Sequence, residues 1–260
     1  MNVADFPFLD QRFVAMAHRG GWTRPADAAR ENTVFAFERA LDLGFRFLEI
    51  DVRTTADGQL VLFHDARLER LTGASGAVQE RTWSELSDLR IGGVDPVPLL
   101  EDVLNRFRDT VFNIDLKDNA GVPAMVSLLH RMDVADRIVV ASFSTMRTRR
   151  FARRSPGIAL SATPLGVGWD GFLPGLRRWR VDPAPVLQVP VRVLRSLLPL
   201  VRRDVIDFLH STGRKVHVWT IDDRAEMEHL IDLGVDGLIS NDLVTLKSVL
   251  TERGLWEADE

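Results

Sequence analysis

Short β-rich runs alternate with amphipathic segments along the whole chain, and this alternation restricts the fold more than any other feature. The runs are VAMAH (14–18), FLEIDV (47–52), VFNIDLK (111–117), RIVVAS (137–142), IALSAT (158–163), VLQVP (186–190), KVHVWT (215–220) and GLIS (237–240). Between them lie stretches with helical spacing of apolar residues, such as NTVFAFERALDLG, LLEDVLNRF, GVPAMVSLLHRM, STMRTRRFARR, RSLLPLVRRDVIDFLHSTG and RAEMEHLIDLG. Several close on glycine, at Gly44, Gly213 and Gly234, the residue best suited to the left-handed turn beyond a helix. Strand and helix in strict alternation predict a parallel sheet, because parallel neighbours need a long crossover that a helix supplies. Eight such units in 260 residues fit an α/β fold of the (βα)8 TIM barrel type. An open nucleotide-binding sheet is not favoured, since no Walker loop is present.

One passage breaks the rhythm. Residues 57–98, DGQLVLFHDARLERLTGASGAVQERTWSELSDLRIGGVDPVP, hold an extra strand, QLVLF, and several glycine-punctuated turns. They are expected to form a small insertion after the second barrel strand, reaching over one mouth. No composition break marks a second unit, so residues 1–260 are expected to form a single barrel domain.

Composition narrows the chemistry. The formal net charge of −4 does not suggest a nucleic-acid partner. The absence of cysteine excludes disulfides, thiolate metal sites and a cysteine nucleophile. The first residues, MNVADFPFLDQRF, carry acids where a secretion signal needs bases, which predicts a cytoplasmic protein. The most apolar later stretch, PVLQVPVRVLRSLLPLVRR, is broken by arginines and prolines, so no stable membrane insertion is expected. The arginine-rich RTRRFARR, with RRWR beyond it, reads as the solvated face of barrel helices.

Functional groups of a barrel collect where its strands end in βα loops. His18 and Arg19 end the first strand. Glu49 and Asp51 lie two residues apart on the second, so strand alternation turns both carboxylates to one side. Asp115 and Lys117 repeat that spacing on the third, and His64 and Asp65 end the extra strand. Carboxylates within an apolar strand are costly to bury without a cation. Three of them, with no thiolate, suit one hard divalent cation, Mg²⁺ or Ca²⁺, with Mn²⁺ as a third candidate. A metal, a guanidinium and an ammonium together would receive an anion, phosphate above all. Two imidazoles can serve as acid and base on either side of a phosphorus centre. His130, His210, His217 and His229 lack such company and read as structural or surface residues, while Trp219, at a strand end, reads as either core or substrate platform.

Seven segments in order resemble the glycerophosphodiester phosphodiesterases: HRG (18–20), ENT (31–33), LEIDV (48–52), DGQLVLFHD (57–65), FNIDLK (112–117), VWTID (218–222) and GVDGLISN (234–241). The resemblance spans nearly the whole chain and implies a (βα)8 barrel with a small insertion after the second strand. It implies that His18 and His64 form the acid/base pair, that Glu49 and Asp51 are metal ligands and that Arg19 and Lys117 meet the phosphate. Glu31 would lie beside the glycerol or the metal. Asp115 stands where the family usually has a glutamate ligand, and LISNDL (238–243) where it commonly reads I-I-T-D-x-P.

The resulting expectation is metal-dependent hydrolysis of a small-molecule glycerophosphodiester to sn-glycerol 3-phosphate and an alcohol. Gly20 and Gly21 would let the backbone turn away without crowding the ligand. Two alternatives are lysophospholipase D activity on lysophospholipids, for which GWDGFLPGLRRWR (168–180) would supply an apolar channel, and a non-catalytic phosphate-binding barrel. The sequence does not indicate an oligomeric state.

Overall fold

A computed structural model of the protein describes residues 2–172, 182, 184–193 and 198–256. All eight anticipated strands form. They are β1 (Val14–Trp22), β2 (Phe47–Thr54), β3 (Val111–Leu116), β4 (Ile138–Ala141), β5 (Ala159–Leu160), β6 (Val186–Pro190), β7 (Lys215–Trp219) and β8 (Gly237–Asp242). Their parallel order is β5-β4-β3-β2-β1-β8-β7-β6. A parallel bridge from Ser161 to Val186 brings the two ends together, giving a nearly closed TIM barrel. Helices follow each strand: α1 (Val34–Asp42), α2 (Leu100–Arg106), α3 (Gly121–Met132), α4 (Thr145–Ala152), α5 (Pro164–Phe172), α6 (Arg203–Ser211), α7 (Arg224–Leu233) and α8 (Leu243–Glu252).

Strand alternation sorts the core into two shells. Leu48, Ile50 and Val52 of β2, with Ile114 and Leu116 of β3, point outward and pack with the helices. Val14, Met16, Phe47, Val139, Ala159, Val186 and Ile239 point inward. Val3, Phe6 and Leu9, from two short 3-10 turns at the N-terminus, pack into that inner cluster and plug the barrel floor. Thr33 caps α1, its hydroxyl accepting from Ala36 N at 3.3 Å, and Asp223 caps α7 in the same way.

Between β2 and α2 the chain leaves the barrel in a small insertion, as anticipated. Leu60–Leu62 runs antiparallel to the end of β2, in register with Val52, Arg53 and Thr54. Two short helices, Glu69–Thr72 and Trp83–Ser87, follow, and the segment packs its own cluster around Val61, Phe63, Leu68, Leu71 and Ile91.

Two local expectations change. The first strand does not stop at His18 but continues with shifted register to Trp22, carrying HRGG as an irregular edge against β8. RSLLPLVRRDVIDFLHSTG is not one helix: residues 194–197 lie outside the described residues, Leu198–Pro199 pairs antiparallel with Arg192–Val193, and α6 begins only at Arg203. Pro199 explains part of this, since proline cannot donate within a helix.

Candidate active site

β2 dictates the centre of the site. Its inward positions are Phe47, Glu49 and Asp51, and Asp51 stands level with Asp115 on β3, so burial of the strand brings both carboxylates into the same space. Asp51 and Asp115 close on Lys117, whose Nζ is 2.7 Å from Asp51 Oδ1 and 2.5 Å from Asp115 Oδ2. Arg19 Nε lies 3.1 Å from Asp51 Oδ2, and Arg19 Nη1 donates to Glu31 Oε1 at 2.9 Å. Asn32 and Asp51 form a reciprocal pair, Nδ2 donating to Oδ2 at 2.8 Å and Asp51 N donating to Asn32 Oδ1 at 3.1 Å. Glu49 receives the Arg19 backbone N–H at 3.0 Å and lies 3.8 Å from His18 Nε2.

Burial and charge act on these acids in different directions. Glu49, deeply buried beside Asp51, has its pKa raised despite the opposing charges of Lys117 and Arg19. Burial likewise raises Asp115 against the pull of Lys117. For Asp51 burial also pushes upward, but Lys117 and Arg19 outweigh it and hold the pKa low. Lys117 is raised because Asp51 and Asp115 more than offset its own desolvation.

The two histidines are mounted in parallel ways. Asn241 Oδ1 lies 2.7 Å from His18 Nδ1, while Asn241 Nδ2 donates to Asp222 Oδ2 at 2.8 Å. A carboxylate only accepts, so the amide must turn its oxygen to His18, and His18 Nδ1 must carry the proton. Nε2 lies 3.8 Å from Glu49 Oε2. On the other side of the mouth, His64 Nδ1 lies 2.7 Å from Asp65 Oδ1. Arg70, on the short helix Glu69–Thr72, grips Asp65 through Nε at 2.5 Å and Glu31 through Nη1 at 2.9 Å and Nη2 at 2.7 Å. These bonds bring the Asp65 carboxyl down to about 2 and tie the insertion to Arg19 through Glu31. His18 itself has a lowered pKa, from burial first and the nearby Arg19 second.

These groups face one cavity of about 430 Å³, lined by His18, Arg19, Glu49, Asp51, His64, Asp115, Lys117 and Trp219. Its opposite wall is apolar, built by Phe143, Ala162, Pro164, Val167 and Pro190, with Phe143 edge-on to Trp219 at 5.5 Å. Glu31 does not line it; it stands behind Arg19. Gly20 and Gly21 turn the backbone at φ 85° and 61° and also pack it closely. A Cβ at Gly20 would come within 2.7 Å of Ala36, and one at Gly21 within 2.5 Å of Leu243, so the glycines seat the loop against α1 and α8.

The oxygen donor set fits a hard divalent cation in kind, and Asp115 Oδ1 is buried without a hydrogen-bond partner. Among the described residues, however, no three His, Asp or Glu side chains converge tightly enough to form a metal cluster. The space between Asp51 and Asp115 is held by the Lys117 ammonium.

Four contributors were not assigned a role from sequence. Asn32 sits inside the ENT segment, Asp222 inside VWTID and Asn241 in the departure LISNDL, so each was within view. Arg70 had no signal beyond being one arginine in a polar insertion. Residues 173–180 of GWDGFLPGLRRWR lie outside the described residues; Val167 and Gly168 reach the cavity.

A family model described as the glycerophosphoryl diester phosphodiesterase family matches residues 18–245. The chain belongs to that family. It is 34% identical over 252 residues to "Probable glycerophosphodiester phosphodiesterase 2" of Mycobacterium tuberculosis, covering 94% of this chain and 93% of the relative. It is 27% identical over 278 residues to a Rattus norvegicus protein named lysophospholipase D, covering 92% of this chain and 87% of that one. Among solved structures, an Oleispira antarctica phosphodiesterase in complex with the product sn-glycerol-3-phosphate superposes with a TM-score of 0.76 at 22% identity, over 94% of this chain and 98% of that one. The relatives so named are phosphodiester hydrolases, and the enzyme class expected from the sequence stands.

Proposed function

We propose that the protein hydrolyses glycerophosphodiesters to sn-glycerol 3-phosphate and the head-group alcohol, with His18 and His64 as the acid/base pair. The observation that carries this reading is the matched mounting of the two rings: each Nδ1 is engaged by an oxygen, and both rings line the cavity that holds Arg19 and Lys117. The glycerol 2-hydroxyl attacks phosphorus, forming one P–O bond as the bond to the head-group oxygen breaks. His18, favoured in its neutral form, accepts the hydroxyl proton at Nε2, and His64 gives a proton to the departing oxygen. Water then opens the cyclic phosphate with the roles reversed, and glycerol O2 regains its proton. A nucleophile already on the substrate supplies a large effective concentration, ~10⁵ M or more when well oriented. Arg19 and Lys117 meet the non-bridging phosphate oxygens, where negative charge develops.

Glu49, Asp51 and Asp115 would hold a divalent cation, which would supply Lewis-acid stabilisation of phosphate charge. The family generally uses such an ion, and the carboxylate donors favour Mg²⁺, Ca²⁺ or Mn²⁺. The test is turnover of a panel of glycerophosphodiesters with each ion added, following alcohol and glycerol phosphate together. His18→Ala and His64→Ala variants that remain folded are expected to lose about 10²- to 10⁴-fold in kcat. Near-normal turnover in either removes the two-histidine scheme.

The apolar wall around Phe143 and Val167 favours a second reading, lysophospholipase D activity, in which an acyl chain lies along that side. Comparing glycerophosphocholine with its monoacyl form separates the two substrates.

A further inference from the structure

Five large hydrophobic side chains are strongly exposed among the described residues, and three of them lie where α4 and α5 begin, beside the apolar wall of the cavity. Phe143 follows β4 and is 66% exposed, Met146 in the first turn of α4 is 77% exposed and Leu165 in the first turn of α5 is 49% exposed. The Leu165 N–H reaches Thr145 Oγ1 at 3.4 Å, so the starts of α4 and α5 stand side by side. Phe143 also lines the cavity, which makes the exposed patch continuous with the apolar wall inside.

Charge around the patch is one-sided. Residues 138–169 contain five arginines and no acidic residue, although the whole chain has net charge −4. Arg147 is committed inward, to Leu116 O, Ser142 Oγ and Asn119 Oδ1. Arg149, Arg150, Arg153 and Arg154 are exposed, and none makes an ion pair among the described residues. Met146, Arg149, Arg150 and Arg153 follow the i, i+3, i+4, i+7 spacing of one helix face, opposite the buried Thr148 and Phe151. Neither helical propensity nor packing requires an apolar tip followed by unpaired cations on that face.

We propose that this edge of the mouth docks on an anionic lipid surface. Phe143, Met146 and Leu165 enter the boundary between head groups and acyl chains, and the arginines of α4 engage lipid phosphates. The pairing of a small apolar tip with a cationic flank is the combination that holds a protein on such a surface without spanning it. No helix among the described residues is long and apolar enough to cross a membrane, so the contact is peripheral. A protein partner would call for a broader apolar face than three side chains provide. Docking at this edge sets the apolar wall of the cavity against the lipid, giving an amphiphilic phosphodiester a path that keeps its apolar end out of water.

The test is co-sedimentation of the full chain with phosphatidylcholine vesicles, with and without phosphatidylglycerol, at low and high salt. It reads binding, so its outcome is independent of the proposed reaction. Binding is expected only with the anionic lipid and is expected to weaken as salt rises. Arg149→Glu with Arg150→Glu should lower vesicle affinity at least about tenfold, from roughly one RT-scale gain or more per basic residue near the surface. Met146→Ser with Leu165→Ser should lower it severalfold. Both double variants should keep the circular dichroism and the turnover of soluble glycerophosphocholine of the parent. Absence of binding to anionic vesicles, or binding indifferent to both double variants, overturns the proposal. Concentration-dependent self-association abolished by the Met146 and Leu165 changes, without vesicle binding, overturns it in favour of a protein interface.

Discussion

Asn241 holds the Nδ1 edge of His18 at 2.7 Å and is itself held by Asp222, with Asn241 Nδ2 to Asp222 Oδ2 at 2.8 Å and Asn241 N to Asp222 Oδ1 at 2.7 Å. The two-step relay fixes which ring nitrogen faces the cavity. Asn241 is therefore a positioning residue. Asn241→Leu is expected to lower kcat about 10- to 100-fold with little change in KM, the scale seen when a supporting hydrogen bond to a functional ligand is lost. Nitrogen NMR of the His18 ring should change from the Nδ1–H tautomer to a mixture. Unchanged kcat together with an unchanged ring signal would refute the relay.

Lys117 stands between two carboxylates that are both nearly inaccessible to water. Lys117→Met leaves Asp51 and Asp115 buried without their shared cation. Removing one partner of a buried charge cluster typically costs about 3–5 kcal/mol, and a comparable fall is expected in urea unfolding at neutral pH. A divalent cation should then raise the melting temperature of the variant more than that of the parent, because the ammonium no longer competes for the same oxygens. Thermal shifts with Ca²⁺, Mg²⁺ and Mn²⁺ read this directly. A variant indifferent to all three ions argues against Asp51 and Asp115 as cation ligands.

Arg70 is half exposed, yet it joins Glu31 of the barrel to Asp65 of the insertion. Surface ion pairs contribute little to stability, so Arg70→Ala should move the melting temperature only slightly. Its effect is expected in catalysis, as a loss of about tenfold in kcat/KM, because Asp65 orients His64 and Glu31 orients Arg19. Arg70→Lys should recover only part of the loss, since an ammonium cannot fork onto two carboxylates as a guanidinium does. A kcat/KM equal to the parent in Arg70→Ala would show that His64 is positioned by other contacts.

The barrel was legible because its signal is repeated: eight apolar strands with helix-length spacers leave few other arrangements. That Glu49 and Asp51 share one face of β2, and Asp115 and Lys117 one side of β3, was legible for the same reason, since strand alternation fixes which side chains of a strand share a face. Strand ends were less so. HRGG extends an irregular β1 to Trp22, since three successive residues, Arg19, Gly20 and Gly21, take positive φ and nothing in sequence dictates their register. The roles of Arg70 and Asp222 depend on contacts 39 and 19 residues away in the chain, which no local period encodes. That Lys117 closes on two acids instead of facing the cavity alone follows from the level pairing of Asp51 with Asp115, a property of the sheet and not of either strand.

His217 is the remaining buried histidine, on the inward face of β7 level with Gln188 and Gly237. Gly237 is needed there, since a Cβ would come within 2.9 Å of the imidazole Cδ2 and 2.7 Å of Val14 O. Burial, opposed only weakly by Asp236, takes the His217 pKa from 6.5 down to about 4. Between those two values the unfolded chain binds a proton that the folded chain does not, so stability falls as pH drops from 6.5 towards about 4. The full difference is about 3 kcal/mol at 1.36 kcal/mol per unit of pKa. In His217→Leu this contribution disappears. Urea unfolding across that interval should show the parent losing about 3 kcal/mol relative to the variant, with the gap constant at higher pH. Parallel stability curves for the two proteins through the interval would mean that the folded state protonates His217 as readily as the unfolded one.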